Sequence, residues 1–172
     1  MGVIEAANQA TTEVRNSFHV VRMPAEEKGL PAFRCRGVKL IEFPLIKDPR
    51  GNLMFAEFPK HLPFQPKRIF MTYDVPQGSV RGEHGHKQLE QLIVCVKGSL
   101  KVTVDDGSVI EEYVLDTPGE GIYIPPLVWG IQSNHSEDCV MLVLASDVYN
   151  ESGYLRNYDE FLAYVKTHGE DQ

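Results

Sequence analysis

The sequence predicts an all-β fold, a single jelly-roll barrel with a short C-terminal helix and an N-terminal extension. Three observations carry this. From Val38 onward the chain breaks into short apolar runs punctuated by Gly, Pro and Asp, the texture of a barrel or sandwich. Leu100, Val102 and Val104 alternate with Lys101, Thr103 and Asp105, then Asp106-Gly107 supplies a turn before Val109 to Leu115 runs back as a hairpin. Tyr158, Phe161, Leu162 and Val165 recur at helical spacing behind Asp159 and Glu160, so a short amphipathic helix is expected against the barrel wall.

Further strands are expected at Lys39 to Phe43, Asn52 to Phe58, Arg68 to Asp74, Gln91 to Lys97, Gly121 to Ile124 and Cys139 to Ala145. At 172 residues and 42% apolar, the chain suits one core. The division is an extension over 1–37, with Pro24 and Pro31 as breaks, and a barrel domain over 38–168. Neither an apolar run of roughly 18 residues nor a basic, apolar N-terminal signal is found, so a cytoplasmic protein without a membrane partner is expected. Cys35, Cys95 and Cys139 are odd in number, far apart and lack C-x-x-C spacing, which predicts buried free thiols.

A net charge of −7 disfavours nucleic acid as a partner, because a duplex binder needs a basic face. The charge is uneven. Between Lys60 and Lys101 seven Lys/Arg stand against Asp74, Glu83 and Glu90, so a barrel mouth built from this segment can attract a small anion.

The chemistry concentrates between Gly78 and Gly98. His84, His86 and Glu90 occupy even positions, followed by Leu92, Val94 and Val96 at the same parity. If one regular strand runs through them, all six face the barrel interior, and Lys87, at odd parity, faces away. Two imidazoles at i and i+2 with a carboxylate four residues on suit either metal ligation or proton transfer.

This stretch resembles the first cupin motif, a glycine, five residues, H-x-H, three or four residues, Glu and a closing glycine, with the last gap one residue longer. The segment Gly119 to Asn134 resembles the second motif, with Pro125 in place, Leu127 replacing a glycine and Gly130 replacing the histidine that is the fourth ligand of metal-bound cupins. His84, His86 and Glu90 alone could form a three-ligand open site. Without a metal, the imidazoles are free to carry protons.

From Lys39 to Val165 the chain is similar to the sugar 3,4-ketoisomerases, WxcM-like cupins acting on TDP-linked 4-keto-6-deoxyglucose. The matching stretches are DPRGNL from Asp48, PKRIF from Pro66, RGEHGHKQLEQLIVCVKGSLKVTVDDG from Arg81, IPPLVWG from Ile124 and DCVMLVLASDVYNESGYLRNYDEF from Asp138. The resemblance implies a metal-free, cofactor-free isomerase that moves a carbonyl from C4 to C3 of the sugar through an enediolate. His86 is the candidate base, and His84 its partner, donating to the sugar oxygen or shuttling a proton; the reverse assignment is equally compatible. Arg81 joins them as a catalytic candidate, and Arg50 and Arg68 as candidates for the diphosphate and enediolate. Tyr73, Glu90 and Trp129 complete the candidate substrate-binding set, Trp129 by stacking or by closing over the sugar.

A residue at Gly130 or Phe70 that differs from other members puts the C4 configuration of the product in question. The resemblance further implies a product for an aminotransferase serving surface-polysaccharide (O-antigen) synthesis. A homodimer is expected from the partly apolar second face at Ile93 and Cys95. Two other readings use the same pocket: a metal-dependent cupin built on His84, His86 and Glu90, and a non-catalytic nucleotide-sugar sensor.

Overall fold

Two five-stranded antiparallel sheets, facing one another across a common core, make up most of the structure. The computed structural model describes residues 33–169. In chain order the strands are β1 (Lys39–Glu42), β2 (Leu45–Ile46), β3 (Leu53–Met54), β4 (Arg68–Tyr73), β5 (Arg81–His86), β6 (Gln91–Lys97), β7 (Leu100–Asp105), β8 (Ile110–Leu115), β9 (Glu120–Ile124), β10 (Trp129–Ser133), β11 (Val140–Ala145) and β12 (Tyr154–Leu155), followed by helix α1 (Tyr158–His168). The first sheet runs β1-β9-β6-β11-β4 and the second β12-β5-β10-β7-β8, with β2 and β3 forming a separate ribbon. This is the jelly-roll cupin arrangement the sequence predicts.

The expected hairpin is present, Leu100 pairing with Leu115 and Asp105 with Ile110. The core between the sheets gathers Leu40, Ile93, Cys95, Val102, Val104, Ile122, Met141 and Val143. All three cysteines are buried and free. Among the described residues no helix is long and apolar enough to cross a membrane.

Two expectations change. The run from His84 to Val96 is not one strand: it divides into β5 and β6, which lie in different sheets. The even residues Leu92 and Val94 therefore point outward, beneath Phe43, Leu62 and Phe64, while Ile93 and Cys95 fill the inter-sheet core. Ile93 and Cys95 thus offer no free face for self-association. The expected strand over 52–58 contracts to Leu53–Met54, because the chain beyond it folds across the outside of the first sheet to bury Leu62 and Phe64.

Of the expected extension, everything before residue 33 lies outside the described residues. Its end belongs to the barrel: the backbone amides of Arg34 and Cys35 each donate to Glu111 Oε2 at 2.9 Å, which satisfies a carboxylate that is itself buried.

Helix α1 begins at the Asn157 cap, whose side chain accepts from the Glu160 amide. It lies on the outer face of the second sheet, where Phe161 packs with Trp129 and Leu155. Phe161 is fully buried, and a Cβ at Gly85 would lie 2.7 Å from its ring, so only glycine at 85 lets the helix seat this close.

Candidate functional site

The site is assembled on the inner face of the second sheet. In β5, Gly82 (φ 80°) and Glu83 (φ 54°) both adopt left-handed backbone, and the pairing with β10 shifts there: Gly130 faces His84 while Ile131 faces Gly82. Such a bulge re-aims neighbouring groups. Here it turns the Gly82 carbonyl to accept from His84 Nδ1 at 2.8 Å. A carbonyl can only accept, so His84 carries its proton on Nδ1 and leaves Nε2 as a bare acceptor.

The bulge also restores Arg81 to the histidine face, since Arg81 pairs with Gln132, two residues along β10 from Gly130. Arg81 stands at the far end of β5, exposed, with its charge felt by the buried His135.

His86 is 5% exposed and its Nε2 has no hydrogen-bond partner. The two imidazoles meet edge to face with centroids 4.9 Å apart. Burial, then the charges of His84, Arg68 and Arg156, push the His86 pKa down to about 3. Burial likewise lowers His84, with the Gly82 carbonyl acting in the opposite sense. Both rings are therefore neutral at pH 7, the state a base must start from.

Beside His86 opens a cleft of about 470 Å³, lined among others by Arg68, Lys87, Glu90, Asp147 and Tyr154. That volume falls within the usual range for a small-molecule site. Arg68 begins β4, at the edge of the first sheet, and its guanidinium lies over the rings of Phe70 and Tyr149 at 5.2 and 5.5 Å. Lys87 is part of this cleft rather than turned from it, because the chain turns between β5 and β6; its Nζ donates to the Ser152 carbonyl at 2.9 Å.

Glu90 reaches the rim, but its carboxylate accepts from the Tyr123 hydroxyl at 2.7 Å, on the outward side of β9. Gly130, opposite His84, offers no side-chain donor. Among the described residues no three His, Cys, Asp or Glu side chains are grouped to hold a metal ion. The set His84, His86 and Glu90 is therefore not assembled, since Glu90 follows the turn into the other sheet.

Three candidates stand apart from the cleft. Arg50 sits on the β2–β3 ribbon, its side chain 89% exposed and paired with Asp48 Oδ1 at 2.8 Å. Tyr73 alternates to the outer face of β4 and is 61% exposed. Trp129 faces outward from β10 under α1, edge to face with Tyr158 and tilted against Phe161, where it serves as packing.

The group that sequence reasoning did not single out is Tyr154. Its strand β12 pairs with β5 so that Tyr154 lies directly opposite His86. Its ring centroid is 4.4 Å from that of His86 and 5.0 Å from that of His84. The stretch from Tyr154 to Asp159 matches the family tail, which was its one signal in the sequence.

Comparison with known proteins follows the same outline. Residues 36–166 match the family model described as FdtA: WxcM-like, C-terminal. The TDP-4-oxo-6-deoxy-alpha-D-glucose-3,4-oxoisomerase of Aneurinibacillus thermoaerophilus is 46% identical over 127 residues, covering 74% of this chain and 91% of that protein. The 3,4-ketoisomerase QdtA of Thermoanaerobacterium thermosaccharolyticum, solved as a histidine-to-asparagine variant with TDP-4-keto-6-deoxyglucose, superposes with a TM-score of 0.75 at 37% identity, covering 77% of this chain and 96% of that one. A 3,4-ketoisomerase from Helicobacter canadensis gives 0.74 at 39% identity, covering 76% and 98%.

Proposed function

Because the chain belongs to the FdtA family of WxcM-like C-terminal domains, we propose that it is a sugar 3,4-ketoisomerase, converting a TDP-linked 4-keto-6-deoxyhexose to its 3-keto isomer through an enediolate. The observation that carries this is a pair of imidazoles packed edge to face, one of which, His86, lines a cleft together with Arg68 and Lys87. Relatives at 37–46% identity are named for this reaction, and one was solved with a TDP-keto sugar.

In this reading His86 removes the proton from C3 through its unpartnered Nε2 and returns one to C4. His84, with Nδ1 committed to Gly82, uses Nε2 to accept from a sugar hydroxyl. Arg68 and Lys87 sit where a diphosphate can be received. The depressed basicity of His86 fits this order of events. Burial and the neighbouring His84 do most to suppress its protonation and Arg68 adds to them, so a diphosphate brought against Arg68 offsets part of that effect and strengthens the base when substrate is present. Arg81, on the histidine face at the far end of β5, remains a candidate for the sugar side of the pocket.

A homodimer fits the surface better through β4 than through β6. Ile69, Met71 and Tyr73 leave the outer face of that edge strand 57–63% exposed, and an apolar edge of this kind calls for a cover. Gel filtration showing monomer alone at micromolar concentration contradicts this. The three free thiols support a reducing compartment such as the cytoplasm. The 3-keto product is a substrate for transamination, which supports a place ahead of an aminotransferase in amino-sugar and polysaccharide synthesis.

The test is His86→Asn. Turnover of TDP-4-keto-6-deoxyglucose should fall by at least about 10²-fold, the worth of a positioned base, while TDP binding measured by calorimetry is kept. Near-wild-type turnover removes His86 from the reaction.

A further inference from the structure

β10 sends a carboxamide into the barrel where the neighbouring rows are apolar. Gln132 pairs with Val102 of the core on one side and with Arg81 on the other, so its side chain shares the inner face with them. It is 7% exposed, and the described residues make no hydrogen bond to its amide. Buried polar groups are normally paired, and an exception beside the two imidazoles points to a partner supplied by the ligand. Resting on the ketoisomerase reading, we propose that Gln132 is a further substrate-contacting residue, its Nε2 donating to the oxygen on C4 of the sugar.

The amide is turned back along the strand toward the histidines. A Cβ at Gly130 would find Gln132 Nε2 at 3.6 Å, and one at Gly82 would find Oε1 at 2.7 Å and Nε2 at 3.0 Å. The carboxamide therefore lies between two glycines, next to the peptide whose carbonyl orients His84. Gly130 pairs with His84, so the space its missing side chain leaves lies beside that imidazole. The histidine of the metal-bound cupins would fill this space; glycine leaves it to a ligand atom, with Nε2 at its border.

The order of groups along the inner face selects the oxygen. Arg68 and Lys87, at the diphosphate end of this reading, line the cleft with His86, and His84 follows two residues farther along β5, about 7 Å on. The Gln132 amide comes next in the same direction. In a hexose C4 lies across the ring from C1, the carbon that bears the diphosphate, so a sugar with C3 at His86 carries its C4 oxygen toward the amide. In the 4-keto substrate that oxygen is a carbonyl, which only accepts and so is served by an N–H. In the 3-keto isomer it is a hydroxyl, which accepts the same bond. Charge gathers on it as the carbonyl enolises, and a fixed donor gains most there, since no reorganisation is needed.

Packing gives no reason for a glutamine at this position. Val102 and Val104 lie on the facing strand and Ile124 Cδ1 borders the Gly130 space, so an amide without a partner weakens the fold where a methionine of similar length would not. A side chain that lowers stability at a pocket wall is explained by what it binds there.

Gln132→Met tests this, since it keeps the length of the side chain and removes the amide. The expected result is a fall in kcat on TDP-4-keto-6-deoxyglucose of about 10²-fold, the usual effect of losing an oxyanion donor. Affinity for TDP alone, read by calorimetry, should stay within about threefold because the nucleotide binds at the other end, and the melting temperature should equal or exceed that of wild type. Gln132→Glu, of the same shape, should lose at least as much turnover at neutral pH and regain part of it as pH falls and the carboxyl gains a proton to donate. A merely structural glutamine would show instead a melting temperature lower by more than about 5 °C in Gln132→Met, with TDP affinity lost in step with turnover, and that result overturns the proposal. So does a kcat within about threefold of wild type in Gln132→Met. Wild-type turnover in the same assay separates the two claims: an inactive wild type removes the isomerase reading and this proposal with it, whereas an active wild type with an equally active Gln132→Met removes the glutamine alone.

Discussion

Gly82→Ala strikes at the device that orients His84, and its cost can be worked from the backbone. At φ 80° an L side chain pays about 1–2 kcal/mol for the left-handed conformation. The new Cβ would lie 2.6 Å from the Gly130 carbonyl oxygen and 2.7 Å from Gln132 Oε1. The glutamine can turn, but the carbonyl belongs to the ladder, so the strands must part, at about 1–3 kcal/mol for such overpacking. The expected destabilisation is about 2–5 kcal/mol, or a melting temperature lower by about 5–15 °C for a chain of this size. Opening the bulge also withdraws the carbonyl that fixes the His84 tautomer. A displaced catalytic group costs about 10- to 100-fold in kcat.

Gly130→Ala is the control on the facing strand. There a Cβ meets nothing nearer than 3.6 Å and the backbone is ordinary, so melting within about 3 °C of wild type is expected. Differential scanning calorimetry and steady-state kinetics on the two variants decide the matter. If Gly82→Ala melts and turns over like Gly130→Ala, the bulge does not set the histidine.

Other expectations follow from the same geometry. Because His86 is held to about pKa 3 when folded against about 6.5 unfolded, the unfolded chain binds the extra proton between these values, and stability falls as pH drops below about 6.5. Urea titrations of wild type should lose roughly 2–3 kcal/mol more between pH 6.5 and 4.5 than those of His86→Gln; equal losses would show that His86 is not buried neutral. Phe161→Ala empties the contact between α1 and the sheet and should cost about 3–5 kcal/mol, read from the shift of the denaturation midpoint; a cost below about 1 kcal/mol means the helix is not docked. With Glu90 turned to Tyr123, dialysis against EDTA should leave turnover unchanged, and activity lost to EDTA and restored by a divalent metal would revive the metal-centred alternative.

The hairpin of β7 and β8 and the helix were legible because each carries its own local signal: strict alternation around Asp106-Gly107, and apolar spacing behind Asp159 and Glu160. The pocket was legible only in part. Lys87, Gln88 and Leu89 contain no turn former, so the segment from His84 to Val96 reads as continuous; the turn is fixed from afar, by the Lys87 amide donating to the Gly153 carbonyl and the Ser146 amide to the Glu90 carbonyl. Parity in β6 was equally hidden, since Leu92 to Cys95 is apolar on both faces and both faces are covered. Tyr154 stands on a strand of two residues, too short to show a period, and its partnership with His86 is a long-range pairing. Nothing local to Arg50, Tyr73 or Trp129 shows which way each side chain faces, and the chain places them on a ribbon tip, an outer face and a helix seat.

The most direct measurement is a proton NMR time course of TDP-4-keto-6-deoxyglucose with the wild-type protein and His86→Asn in deuterium oxide. The wild type should erase the C3 proton signal and yield the 3-keto isomer carrying deuterium at carbon, and the variant should do neither at a comparable rate. Unchanged sugar with the wild type, or exchange at C3 that is as fast without the imidazole of His86, would contradict proton transfer by this pair.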